Sequence, residues 1–334
     1  MTRLVVPERF DPEDFVVEEI PAYPPSGAGG HTFVRVEKRG RTTEAVAREL
    51  ARAAGVRPRD VGYAGRKDRF AVTTQWFSVP GLDPEAARRL ELTHARVLEA
   101  APHGSKLRTG HLRGNRFTLT LHGVDAATAE AARGRLATLA RVGMPNRFGR
   151  QRFGREGDNA ERGLRLLRGQ RASVDRREAR FLLSALQSAI FNEALRRREA
   201  ALDELETGDV AVVHASGGLF LVESAAVEAP RAAAFEISAT GPMIGTRSGR
   251  KDPAPAGAPA RREAAAAAAL GADPAVPLTP PRGLRLPGGR RPLRVRPSEA
   301  IGQQNGDCLA LSFVLPPGSY ATVLLEEIAR PGPP

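Results

Sequence analysis

The sequence predicts an α+β protein of two domains, and three observations carry that expectation. Alternating, strand-like runs at 15–20, 31–38, 72–79, 116–122 and 309–315 stand beside helical patterns at 43–54, 125–141 and 179–198. A length of 334 residues is enough to bury two substantial cores. The charge balance also changes along the chain. Residues 1–170 carry 30 Lys and Arg against 20 Asp and Glu, residues 171–292 carry 17 against 14, and residues 293–334 carry 3 against 4.

Taken in order, Phe15-Val16-Val17-Glu18-Glu19-Ile20 reads as a strand stopped by Pro21, and a Pro/Gly loop leads to a second strand from His31 to Lys38. Thr42 or Thr43 caps a helix that Gly55 ends. An apolar, β-branched strand follows from Val72 to Val79. Asp83-Pro84-Glu85 opens a short helix with a capping Asp and Pro at the first helical position. A basic, Gly-punctuated segment from Lys106 leads into the strand Arg116–His122, then an Ala-rich helix covers 125–141. Residues 179–198 form an amphipathic helix with Leu182, Leu186, Ala189, Ile190 and Leu195 on one side. Gly217-Gly218 turns a hairpin between Val210–Val213 and Leu219–Val222. The stretch 252–283 is rich in Ala and Pro, with a short Ala helix around 263–270. Strand character returns at Arg294, and a final helix spans Val323 to Ala329.

A formal net charge of +12, concentrated in the first half, points to a polyanionic partner. Between Arg147 and Arg171 eight arginines are interleaved with Phe148 and Phe153. That composition suits gripping phosphates while stacking bases, and equally a solvated basic face whose Phe residues point into the core. The single cysteine, Cys308, excludes internal disulfides and a cysteine metal cage, and the six histidines show no metal-ligand spacing. No GxxxxGK[ST], strand-linked GxGxxG or GxSxG segment argues for a nucleotide cofactor or a serine hydrolase. No metal and no cofactor are therefore expected. With no bilayer-length apolar run and no apolar leader, a soluble, cytoplasmic protein is expected.

What remains is a carboxylate acting alone. In Gly62-Tyr63-Ala64-Gly65-Arg66-Lys67-Asp68-Arg69-Phe70, Asp68 is flanked by three cations that favour its ionised form. An anionic Asp on a Gly-containing turn before a strand fits a nucleophile, and it also fits a salt-bridged turn residue, the commoner role for an isolated Asp. Lys67 stands out because only four of the fifty cations are Lys.

Five separated stretches then carry a resemblance: Pro12–Glu19; Gly62–Gln75; Pro145-Asn146-Arg147-Phe148-Gly149 with Gln151-Arg152-Phe153-Gly154; Ser184–Asn192; and Leu315–Thr322. In this order and spacing the chain resembles the tRNA pseudouridine synthase D (TruD) family from about Asp11 to Glu327. The resemblance implies a pseudouridine-synthase-type catalytic domain built on a mixed, largely antiparallel β-sheet (1–171 with 293–334), interrupted by an α/β insertion domain (172–292). It implies isomerisation of a uridine in tRNA, typically uridine 13 of the D arm, without cofactor or metal. Asp68 looks like the catalytic aspartate, and Phe15, Asn146, Phe148 and Tyr320 fall at positions the family uses around the uridine. The family often has Lys where Arg9 stands and Phe where Tyr320 stands. Arg9 and Lys67 are the cations expected to hold the Asp68 carboxylate, with Arg66 and Arg69 left for phosphate or solvent. The partner is tRNA, the expected state a monomer, and the competing expectation a non-catalytic RNA-binding protein using the same basic and aromatic surface.

Overall fold

The computed structural model describes residues 4–170, 174–245, 252–272, 280–281 and 283–330. Along the chain the strands are β1 Phe15–Pro21, β2 His31–Lys38, β3 Gly62–Tyr63, β4 Val72–Pro80, β5 Ala95–His103, β6 Leu112–Leu121, β7 Met144–Pro145, β8 Val210–Val213, β9 Leu219–Leu221, β10 Ile237–Met243, β11 Gly289–Pro292, β12 Arg294–Val295, β13 Ser298–Asn305 and β14 Cys308–Leu315. The helices are α1 Thr43–Ala53, α2 Pro84–Arg88, α3 Ala126–Val142, α4 Asn159–Leu167, α5 Arg176–Arg196, α6 Ala225–Ala233, α7 Gly257–Ala269 and α8 Ala321–Ile328. The fold is α+β. Two compact units emerge: 1–137 with 297–318 and 328–334, and 138–296 with 319–327.

The first unit is organised by one sheet in the order β13-β14-β6-β1-β4-β2-β5, with β3 on β4. Its pairs are antiparallel except β1 and β4, which run parallel with Val16 opposite Val72. β4 is buried along almost its whole length, Thr73, Gln75 and Ser78 included, which is why Val72–Val79 shows no alternation of apolar and polar faces. On one side Val34, Val36 and Phe77 pack with Val46 and Leu50 of α1. A second cluster gathers Phe33, Trp76, Ala64 and Leu107. Thr42 caps α1 by accepting from the Ala45 amide, and Asp83 caps α2 by accepting from Ala86. The parallel pairing sets the starts of β1 and β4 at one end of the sheet, and β2 ends there too, with Lys38 opposite Thr73.

In the second unit an antiparallel sheet runs β11-β10-β8-β9, and β7 pairs with β12. Phe148, Phe191, Leu205, Ala211, Ile237 and Leu293 form a core cluster there. Besides the short strands β3, β7 and β11, four elements leave no periodicity in the sequence. β5 is a partly exposed edge strand without a regular apolar face, and α4 hides its apolar side within the arginine run. α6 carries Pro230 inside it. β10 is buried but spelled with small residues, because a Cβ at Gly241 would lie 2.9 Å from both Leu293 and Phe191. The short Ala helix expected around 263–270 is the longer α7, and 273–279 and Arg282 of the Ala/Pro stretch lie outside the described residues.

Candidate functional site

Asp68 sits on the loop between β3 and β4, in the first unit. That loop is short of regular structure, and its shape is set by side chains reaching up from the sheet and from α1. Gln75, fully buried on β4, donates from Nε2 to the Gly65 carbonyl at 3.1 Å. Thr43 Oγ1 donates to Gln75 Oε1 at 2.8 Å and accepts from the Lys67 amide at 3.0 Å. Lys38, also buried, donates from Nζ to the Asp68 carbonyl at 2.8 Å. Three points of the loop backbone, at Gly65, Lys67 and Asp68, are thereby tied to the scaffold. Gly62, at the loop's entrance, has no alternative: a Cβ there would lie 2.2 Å from the Leu107 carbonyl oxygen and 2.5 Å from Ser78 Oγ.

The carboxylate itself is exposed, and Oδ1 accepts from the Phe70 amide at 2.9 Å, an Asx turn that aims the side chain along the loop. Burial pushes the Lys38 ammonium down to about 8, an effect that the nearby Asp68 charge partly offsets. Phe15 opens β1 at the same end of the sheet, half-buried, with its ring 5.4 Å from Phe10 and 6.2 Å from Phe117.

The cations around Asp68 are sorted differently from the expectation. Lys67 does not hold the carboxylate: its Nζ is 2.7 Å from Glu19 Oε2, and both side chains are almost fully buried. Glu19 on β1 offers the buried partner that a desolvated ammonium requires. Arg9 lies instead with its guanidinium carbon 4.3 Å from the Phe70 ring centroid. Arg66 pairs with Glu44 at 2.6 Å. The lysine that does reach Asp68 is Lys38, and its signal in the sequence was only that it is one of four lysines.

The second unit holds the other predicted group. Asn146 is buried, its Nδ2 donating to the Pro292 carbonyl at 2.9 Å while its Oδ1 and its carbonyl oxygen accept from Arg291. The amide expected to read a uracil edge is therefore occupied, and it orients a guanidinium. Arg291 lies 4.2 Å from the Phe148 centroid, and burial lowers it to about 10. Phe148 is buried, with Phe191 at 5.7 Å and Tyr320 at 6.2 Å, both edge to face. Tyr320 is half-buried, and Phe153 packs on the same core. Of the two readings of the aromatic-interleaved arginines, the core reading describes these two rings.

One helix face explains why the separated stretches belong together. Ser184, Ser188 and Asn192 recur every four residues on α5. The two serines accept from Arg152 at 2.8 and 3.2 Å, and Asn192 brackets Phe148, accepting from its amide at 2.8 Å and donating to its carbonyl at 2.9 Å. Gln187 donates to the carbonyls of Ile244 and Pro287. Much of the arginine run is likewise structural: Arg147 pairs with Glu326 and Glu327, Arg162 with Glu178, and Arg165 with Glu161. Arg150 and Arg155 are exposed, and Arg171 lies outside the described residues. Among the described residues no group of three or more His, Cys, Asp or Glu could hold a metal ion, and no helix is long and apolar enough to cross a membrane.

The architecture matches the crystal structure of a protein assigned as tRNA pseudouridine synthase D (TruD) from Methanosarcina mazei, with a TM-score of 0.75 over 98% of this chain and 94% of that one. At 20% identity that likeness speaks for the fold. The family model for tRNA pseudouridine synthase D (TruD) matches residues 9–174 and 165–328. Proteins named tRNA pseudouridine synthase D from Anaeromyxobacter sp. (strain Fw109-5) and Thermus thermophilus are 45% and 42% identical, covering 97% and 96% of this chain and 92% and 88% of their own lengths. The chain belongs to the tRNA pseudouridine synthase D family.

Proposed function

We propose that this protein is a tRNA pseudouridine synthase that isomerises a uridine of tRNA, uridine 13 of the D arm, with Asp68 as the reacting carboxylate. Family membership along nearly the whole chain supports the activity. The observation that carries the residue assignment is the Asp68 loop: its backbone is tied down at Gly65, Lys67 and Asp68 while the carboxylate stays exposed. That is the arrangement a positioned nucleophile needs.

The reaction breaks the N1–C1′ bond, turns the uracil and rejoins it through C5. A stacked or paired uridine must first be extruded, at a cost of a few kcal/mol. Asp68 then either attacks C1′ to form an ester or removes a proton from C2′ to give a glycal-like intermediate. The detached uracil has to remain bound while it rotates, which calls for apolar walls that exclude water. Phe15, at Asp68's end of the sheet, is the proposed wall group of the first unit; within the second unit the half-buried Tyr320 is the proposed stacking group, with the buried Phe148 ring packed against it. Asn146 acts through Arg291, which it fixes.

The proposed division into a catalytic domain, 1–171 with 293–334, and an insertion, 172–292, follows the family reading. The compact units divide at 137/138, 296/297, 318/319 and 327/328, and within the second unit β7 pairs with β12 and α5 holds Phe148.

The test is Asp68→Asn on an unmodified tRNA transcript, with pseudouridine mapped at nucleotide resolution and tRNA binding measured in parallel. The variant is expected to bind and not to isomerise. Pseudouridine from the variant removes Asp68 from its role. Binding without isomerisation by the unaltered protein favours the RNA-binding alternative.

A further inference from the structure

We propose that Arg9 and Arg69, gathered on the exposed ring of Phe70, form a docking site for one phosphodiester of the RNA strand that carries the target uridine. This rests on the tRNA-modifying reading above. The selection is made by charge. Around the Asp68 loop, Arg66 pairs with Glu44, Lys67 with Glu19, Arg39 with Glu13 and Arg35 with Glu18. Among the described residues Arg9 and Arg69 have no carboxylate within ion-pair distance, and Lys38, the other cation without one, is buried, so the exposed positive charge left unpaired stands at Phe70, next to the Asp68 carboxylate.

The geometry then fits an anion. Phe70 is 49% exposed, an unusual position for a large aromatic on a loop whose backbone is otherwise fixed. Its amide is held by Asp68 Oδ1 at 2.9 Å, so the ring is tied to the reacting carboxylate. Arg9 covers the ring at 4.3 Å, and Arg69 stands at 5.7 Å with its Nε donating to the Gly40 carbonyl at 3.3 Å. A guanidinium resting on a ring keeps its in-plane N–H fork free, the shape that meets two phosphate oxygens. Holding a long side chain in place beforehand also reduces the entropy lost when the ligand arrives. A stacked nucleobase is a poorer occupant, because Arg9 already lies over the ring. Phe70 is thus a positioning residue and the two arginines are the phosphate contacts.

The salt dependence of tRNA binding reads this directly. With the full-length protein and an unmodified tRNA transcript, Kd is measured between about 50 and 200 mM salt for wild type, Arg9→Gln, Arg69→Gln, Phe70→Leu, Phe70→Tyr and the Arg9→Gln/Phe70→Leu pair. Loss of one phosphate contact flattens the log–log slope by about 0.7–0.9, so Arg9→Gln loses about threefold less affinity than wild type across that range. Phe70→Leu is expected to flatten the slope in part, Phe70→Tyr to restore it, and Arg9→Gln to change it less in the Phe70→Leu background. Wild-type slopes in both arginine variants, or in Phe70→Leu, overturn the docking site. Pseudouridine mapping on the same wild-type preparation keeps the two proposals apart. No pseudouridine from wild type defeats the enzymatic reading, and pseudouridine with unchanged slopes defeats the docking site alone.

Discussion

Replacing Lys38 by methionine should separate what stabilises the protein from what arranges its carboxylate. Lys38 is 1% exposed, and its ammonium donates to the Asp68 carbonyl. Burial lowers it from 10.5 to about 8, which corresponds to about 3 kcal/mol against the charged form in the folded state. The sign follows from proton counting. Between pH 8 and the unfolded value near 10.5 the unfolded chain binds the proton that the folded chain has released, so stability rises with pH across that window and the penalty is fully present below it. Lys38→Met removes the penalty and leaves the carbonyl of an exposed residue without its donor, a loss of about 1–3 kcal/mol. At pH 7 the variant should therefore lie within about 2 kcal/mol of wild type, and it can be the more stable of the two. Urea denaturation at a series of pH values should show the variant's relative stability falling by about 3 kcal/mol between pH 8 and 10.5. Pseudouridine formation should drop about ten- to a hundredfold at unchanged or higher stability, because the loop has lost an anchor beside Asp68. A stability difference independent of pH, together with a wild-type rate, refutes both the buried charge and its positioning role.

Two further substitutions test the scaffold. Gly62→Ala must displace the Leu107 backbone or Ser78 and should destabilise by about 2–4 kcal/mol, while Gly65→Ala, with nothing within 4 Å of its Cβ, should be neutral or slightly stabilising. Thermal midpoints of the pair decide it, and equal midpoints would discard the close-approach argument. Asn192→Ala leaves the Phe148 amide and carbonyl unpaired in a buried setting and should lower stability by about 2–4 kcal/mol in chemical denaturation. A loss under about 0.5 kcal/mol would mean the bracket is replaceable.

Most of the first unit's strands and caps were legible because each is specified locally. Thr42 and Asp83 cap as their spacing suggests, and β1 and β4 are rich in β-branched and aromatic residues. The unread elements are those whose residues answer to distant partners. β10 carries Gly241 because Phe191 and Leu293 fill the space a side chain there would take. At the site, the type of residue at Asp68 was readable, but the pairing of cations was not. Lys67 and Asp68 are adjacent in sequence and face different partners, whereas Lys38 reaches Asp68 across thirty positions through the β2–β4 register. Arg291 carried no signal either, since only folding brings it to Asn146 and Phe148.

The strand order of the first unit also has a consequence for biogenesis. β6 is flanked by β1 on one side and by β14 on the other. A ribosome delivers β6 early, but its second neighbour only after residues 122–307 have been added, about 10–40 s later at ordinary elongation rates. During that interval the nascent sheet presents Phe117, Leu119 and Leu121 on a strand with one open edge, the kind of surface that recruits unwanted strands. The same closure that completes the unit thus sets a period of vulnerability during synthesis, and β14 ends it by covering that edge from Leu121 to Asn115.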